Sequence, residues 1–327
     1  MRTVVVGGGG FVGLNIVERF LAQGRAVTLF DLTPPPEAAL AAFEALPGDL
    51  RVCIGDVRNA GDLSDAFADA DAVVYGAAVT AGDARDREAP EVTLGVNLDG
   101  FLNALRVARD KAVRRVVNLS SAGAYGNAAF QGTGLLHEED TPADPRNIYG
   151  ITKFASERVG SRMADMWDLD VVNVRLSGVF GRWERRTSVR DTPSPQFQVL
   201  EALSRGIPAI VERLDARDWI YAPDVAQAVD SLLAASVLRH RLYNVSTGDT
   251  WSVLDWGQAM AHRFEGGQCR LASPEEPANV FLHTASDRRA LSVDRLRKDG
   301  VFPTCCNIGQ SVENYYAWHQ SLGATYK

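Results

Sequence analysis

Tyr149 and Lys153 stand four residues apart in the stretch Tyr149-Gly150-Ile151-Thr152-Lys153. On a helix that spacing puts the phenol and the ammonium on one face. A free phenol has a pKa near about 10 and is a poor base at neutral pH. A neighbouring cation stabilises the phenolate and lowers that value. Such a tyrosine can take the proton of a carbinol hydroxyl while a hydride leaves the same carbon. The bland alternative is a surface tyrosine beside a solvated lysine. Lysine scarcity weighs against it, because only Lys111, Lys153, Lys298 and Lys327 are lysines among 34 basic residues. Upstream, Asn118-Leu119-Ser120-Ser121 ends a β-rich run. Hydroxyls at the carboxyl end of a parallel strand face the crevice where ligands bind, so a serine there can orient a substrate oxygen.

A hydride needs an acceptor. Val4-Val5-Val6 runs into Gly7-Gly8-Gly9-Gly10-Phe11-Val12-Gly13, a GxxGxxG between a strand and an amphipathic helix. The turn needs glycine freedom, a diphosphate must approach the main chain, and the helix start offers free N–H groups. Gly7, Gly10, Phe11, Val12 and Gly13 therefore form a candidate dinucleotide site. Asp31 ends the second strand, 18 residues after Gly13. A carboxylate there accepts both adenosine-ribose hydroxyls and repels a 2′-phosphate, which favours NAD over NADP. No basic residue directly adjoins it in the sequence. Asp56 and Val57 follow the third strand, at a place that meets adenine in such folds.

The elements that position these groups alternate. Residues 3–6, 26–30, 51–54, 72–75, 115–119 and 171–175 read as strands. Residues 11–23, 63–67, 91–111 and 149–167 read as helices. Strand and helix in alternation predict an α/β fold with a doubly wound parallel Rossmann sheet. From about residue 183 the pattern turns irregular, with Pro193, Pro195, Pro208, Pro274, Pro277 and Pro303 marking loops. Helices at 196–205, 225–235 and 253–264 and strands at 209–211 and 242–245 predict a smaller mixed α/β substrate lobe. The expected division is 1–182 for the cofactor domain and 183–327 mainly for substrate, with 216–250 returning to the sheet. Pro34-Pro35-Pro36 reads as a stiff loop.

Composition narrows the class. Of 327 residues, 46% are hydrophobic and 23% charged, an ordinary globular balance. A net charge of -7 and a pI near 5.3 make nucleic acid a poor partner. No basic, apolar leader opens the sequence and no apolar run approaches a membrane span. Cys53, Cys269, Cys305 and Cys306 lack CxxC spacing, and the five histidines sit in no metal motif, so neither a metal nor a disulfide framework is expected. A reducing cytoplasm fits.

Taken together, the motifs resemble the extended short-chain dehydrogenase/reductase family, in its NAD-dependent sugar epimerase/dehydratase group. The likeness spans nearly the whole chain. It includes the glycine turn, Gly76-Ala77-Ala78, Asn97, Ser120-Ser121 and Tyr149 with Lys153. It continues through Glu138-Glu139-Asp140-Thr141-Pro142, Arg175-Leu176-Ser177-Gly178-Val179-Phe180-Gly181 and Arg217-Asp218-Trp219-Ile220-Tyr221. The resemblance implies Ser121 as the catalytic hydroxyl, Tyr149 as acid/base and Lys153 as its partner and a nicotinamide-ribose ligand. It implies cofactor contacts from Ala77, Ala78 and Asn97, with support of Lys153 as the alternative for Asn97. It implies substrate contacts from Thr80, Ser121, Ala122, Tyr149, Gly178 and Arg217, the last gripping a phosphate or carboxylate. An ion pair to Asp218 or Asp224 is the alternative for Arg217.

Departures matter. The dehydratases carry an acidic pair where this chain has Ala122 and Gly123, which disfavours dehydration. Many nucleotide-sugar epimerases carry an asparagine where this chain has Gly178. The segment 183–194, with Arg185, Arg186 and Arg190, is a substrate lid or a solvated loop. The substrate expected is a small sugar, sugar acid or nucleotide sugar. Epimerase and net dehydrogenase remain open. A non-catalytic NAD-binding regulator would have lost Ser121, Tyr149 or Lys153, and all three are present. The family resemblance implies a homodimer through the helices at 91–111 and 149–167.

Overall fold

In the first strand, Val4 and Val6 belong to one apolar cluster and Val5 to another. The period of two sends neighbours to opposite faces, and both faces are covered. All three valines are fully buried. That is the signature of a parallel sheet between two helical layers. A computed structural model describes residues 1–80, 82–301 and 307–323 of the chain. Pro303, Cys305, Cys306 and Lys327 lie outside the described residues.

Seven parallel strands make the central sheet: β1 (Arg2–Val6), β2 (Ala26–Asp31), β3 (Asp49–Ile54), β4 (Ala72–Tyr75), β5 (Arg115–Ser121), β6 (Val171–Leu176) and β7 (Leu242–Val245). Their order is β7-β6-β5-β4-β1-β2-β3. Val5 pairs with Leu29 on one side and Val74 on the other, so the sheet grows both ways from β1. The carboxyl ends of β1 and β4 therefore form the switch point, where a crevice opens.

The last strand comes from the second half of the sequence. Leu242 pairs with Asn173 and Val245 with Leu176. The helix before it, Ala222–Ala234, packs on the helix Phe11–Ala22. Asp230 ties these two helices of one layer, accepting from Arg19 Nε at 2.8 Å and Gln23 Nε2 at 2.8 Å and pairing with Arg25 at 2.7 Å.

The expected single helix at 91–111 is three pieces: Pro90–Leu94, a π-turn Gly95–Asp99, and Gly100–Asp110. The wide turn directs the Val96 carbonyl to the Tyr75 hydroxyl at 2.9 Å and brings Asn97 onto the backbone of Val79. A Cβ at Gly100 would meet Val57 at 2.5 Å, so the helix lies unusually close to the β3 loop. Four α-helices among the described residues escaped the sequence reading, Asp83–Glu88 and Asp294–Lys298 among them. Glu37–Glu44 starts directly after Pro36 and buries Ala39 and Phe43. Ile308–Trp318 is capped reciprocally by Asn307 and Gln310, and its Ser311 accepts from Trp256 Nε1 at 3.1 Å. Among the described residues no helix is long and apolar enough to cross a membrane. Cys53 and Cys269 are free thiols.

Candidate active site

A cleft of about 550 Å³ opens above the carboxyl ends of β1 and β4. Its first wall is the glycine turn. Gly7 holds φ +78°, and a Cβ there would meet the Ala77 backbone N at 2.5 Å. A Cβ at Gly13 would collide with the Gly7 carbonyl oxygen. The helix Phe11–Ala22 begins at Gly10 with no side-chain cap, leaving its first N–H groups free toward the cleft. Asp31 accepts from Gly9 N at 2.9 Å and Leu32 N at 2.8 Å. Burial pushes its carboxyl above the usual range, against the backbone bonds and the charge of Arg185. Asp56 is held low by its hydrogen bond from Arg58. Asp56 and Val57 line this end, and Ala77 and Ala78 continue the wall.

The opposite wall carries the tyrosine. Asn147 caps the helix Ile148–Trp167, accepting from Gly150 N at 2.8 Å, so Tyr149 sits in the first turn. Its phenol faces the Ser121 hydroxyl and Thr80, and both favour the phenolate. Ser121 also accepts from Gly123 N at 3.0 Å. Ser120 turns the other way and donates to Glu157 at 2.5 Å. Of the two serines, Ser121 is therefore the one that reaches the phenol.

Lys153 Nζ donates to the Leu119 carbonyl at 2.7 Å and lies 5.7 Å from the Tyr149 ring centroid. Burial pushes this lysine down to about 8, opposed by the charge of Glu157. Burial raises the Tyr149 phenol above its ordinary value, and Ser121, Arg190 and Thr80 act in the opposite direction. The ammonium is occupied by the end of β5. Beneath it, Glu157 forms a buried ion pair with Arg175 at 2.7 Å.

Two expected site residues stay out of the cleft wall. Ala122 is buried in a small cluster with Tyr125, Ala129, Leu136 and Leu291. Asn97 is buried, accepting from Val79 N at 2.8 Å and donating to Thr152 Oγ1 at 2.9 Å. It thus couples the Val79–Thr80 loop to the helix of Tyr149 and Lys153. The remaining expected residues, Gly178 and Arg217 among them, line the cleft. Trp219 explains Gly178: a Cβ there would meet the indole at 2.5 Å. Arg217 pairs with Asp215, not with Asp218 or Asp224. It also donates to Thr284 Oγ1 at 2.8 Å and stacks over Trp219 at 4.7 Å. Asp218 instead takes Arg288 and Ser177.

The arginine-rich segment divides its roles. Arg186 is exposed and pairs with Glu201. Arg185 donates to the Gly9 carbonyl at 2.9 Å, beside Asp31. Arg190 enters the cleft near Tyr149. The segment is pinned to the opposite rim by Thr80 N to Val189 O at 2.8 Å and by Arg85 to Ser188 O at 2.6 Å. His283, which the sequence reading passed over, also lines the cleft and bonds the Pro193 carbonyl at 3.1 Å. No local pattern marks it.

The profile of the NAD dependent epimerase/dehydratase family matches residues 3–246. The chain belongs to this family. Among its relatives is a UDP-glucose 4-epimerase of Mycolicibacterium smegmatis, 27% identical over 85% of this chain and 85% of the relative. A decarboxylating sterol-4-alpha-carboxylate 3-dehydrogenase of Candida albicans is 28% identical over 76% of this chain and 69% of its own. The crystal structure of the Thermus thermophilus UDP-glucose 4-epimerase with NAD superposes with a TM-score of 0.75. It is 27% identical and covers 97% of this chain and 99% of that one.

As a member of the NAD-dependent epimerase/dehydratase family, this chain uses NAD. Its own residues fit the dinucleotide. Gly7 and Gly13 let the turn close tightly on the Ala77 backbone and on the Gly7 carbonyl, and the helix N-terminus above it is uncapped. The acidic pair that family dehydratases carry after the serine is replaced by the buried Ala122 and by Gly123.

Proposed function

We propose that this protein is an NAD-dependent sugar epimerase-type oxidoreductase that oxidises a carbinol, with Tyr149 as acid/base. The observation that carries the reading is the Tyr149 phenol, set beside Ser121 and Thr80 in the cleft that the glycine turn walls. NAD, when bound, supplies the acceptor of a hydride and its donor on return. Tyr149 takes the proton of the substrate hydroxyl at its phenol oxygen and gives it back when the carbonyl is reduced. Ser121 orients the substrate oxygen. Lys153 keeps a cation close behind the ring and reaches toward the nicotinamide ribose. Gly7, Gly10, Phe11, Val12, Gly13, Asp31, Asp56, Val57, Ala77 and Ala78 hold the cofactor. Thr80, Gly178 and Arg217 face the substrate.

The contacts of Arg185, Val189 and Ser188 across the cleft mouth support a retained cofactor, which an epimerase needs. A second reading, net dehydrogenation of a free sugar or sugar acid, is favoured by Trp219 filling the place beside Gly178. Incubation with excess NAD and a sugar panel separates them. An epimer formed without growth of reduced-nicotinamide absorbance supports the epimerase, and stoichiometric growth overturns it.

The same reading assigns residues 1–182, with 216–250, to the cofactor and 183–327 mainly to the substrate. It includes a cytoplasmic location and a homodimer. Exposed Leu94, Ile151 and Met166 on the two helical regions support the dimer face.

A further inference from the structure

We propose that Arg190 is a specificity-determining residue whose open guanidinium edge binds a carboxylate carried by the sugar, so that the substrate is a uronic acid, free or nucleotide-linked. The proposal rests on the reading above that the cleft oxidises a sugar carbinol at Tyr149.

Arg190 is anchored along one edge only. Its Nη1 donates to Glu184 at 2.6 Å. Glu184 is fully buried and saturated, accepting also from Ser194 N at 2.6 Å and Ser194 Oγ at 2.5 Å. The backbone is fixed as well, since Arg190 bridges to Thr80, a neighbour of the Tyr149 phenol. The guanidinium lies over the Phe11 ring at 5.4 Å, and that face contact sets its plane. Among the described residues, Nε and Nη2 have no hydrogen-bond partner. These two nitrogens form the planar two-donor edge that matches a carboxylate.

The surroundings choose an anion. Arg190 and Arg217 stand at the catalytic end of the cleft, whereas the acidic residues of its lining, Asp31 and Asp56, stand at the adenosine end. Arg217 is already tied to Asp215 and Thr284. Arg190 keeps a free edge, and its charge is felt by the Tyr149 phenol. A carboxylate on that edge would lie next to the reacting hydroxyl. The glycine turn is served instead by Arg185, which contacts Gly9.

The test is equilibrium titration of the NAD-loaded full chain with two matched pairs: UDP-glucuronate against UDP-glucose, and glucuronate against glucose. In at least one pair the uronate should bind roughly 10- to 100-fold tighter, the range expected for hydrogen bonds to a charged group. Arg190→Lys keeps a cation for Glu184 but lacks the two-donor edge, and should bring that ratio close to one while NAD affinity stays unchanged. Equal affinity for uronate and neutral sugar in both pairs overturns the proposal. So does no uronate binding, an unchanged ratio in R190K, or a loss of NAD affinity in its place, which would put Arg190 on the cofactor diphosphate. Uronate preference without epimer formation would leave this inference standing and sink the epimerase reading.

Discussion

Lys153 lies beneath Tyr149 without a bond to its hydroxyl: the ammonium is held by the Leu119 carbonyl at 2.7 Å, and the ring centroid is 5.7 Å away. Ser121 and Thr80 are the neighbours that favour the Tyr149 phenolate. The lysine sits behind the ring, and the two hydroxyls stand beside the phenol oxygen. Tyr149→Phe removes the acid/base oxygen and keeps the ring. Turnover should fall by ~10²-fold or more while NAD still binds. Steady-state kinetics beside a cofactor titration checks this, and near-normal turnover would reject the mechanism.

In the proposed function, Asp31 reads the ribose end. Asp31→Ala should weaken the preference for NAD over NADP, because the repulsive carboxylate is lost and Arg185 stays nearby. Binding constants for both dinucleotides decide the matter. Unchanged selectivity would show that Asp31 is not the ribose reader.

Gly13→Ala puts a methyl against the Gly7 carbonyl. The turn must open, so NAD binding should be lost or fall by orders of magnitude. Calorimetric titration measures it, and thermal unfolding of the apoprotein reports any wider damage. Tight NAD binding in this variant would contradict the cradle.

Glu157→Gln leaves the Arg175 cation buried without its counter-charge. A loss of about 3–5 kcal/mol in unfolding free energy is expected, read by denaturant titration. The sign on Lys153 follows as well. Glu157 raises the Lys153 pKa against burial, which has lowered it to about 8. Removing that charge lets it fall further, so the alkaline limb of the pH–rate profile should move to lower pH. A shift to higher pH, or none, would disconnect Glu157 from the lysine.

The homodimer is open to sedimentation. A species of twice the chain mass is expected, and Met166→Glu on the exposed helix face should drive it toward monomer. A strict monomer at micromolar concentration would reject the dimer.

What could be read from the sequence was local. The glycine turn is a strand, a tight loop and a helix start within seven residues, and Gly10 and Gly13 answer close contacts with the Gly7 carbonyl inside that turn. Tyr149 and Lys153 are one helical turn apart, so their shared face follows from the 3.6-residue period. The six first-half strands were legible because both faces of a parallel sheet must be apolar. The break in the helix at Gly95–Asp99 was not legible, since its cause is Tyr75 and Val79 in a different strand and loop.

By itself, the sequence determined the succession of the first six strands along the chain, the glycine turn and the shared helix face of Tyr149 and Lys153, because backbone sterics and short-range periodicity act within a few residues. Only the tertiary structure decided which groups meet around that pair. Thr80 and Arg190 are brought together by a bridge between segments far apart in the chain. Asp215, rather than Asp218, takes Arg217, and Trp219 claims the space that leaves Gly178 a glycine. Such contacts depend on how crossovers and loops stack above the sheet, and packing over those distances leaves no periodic trace in the residues that make it.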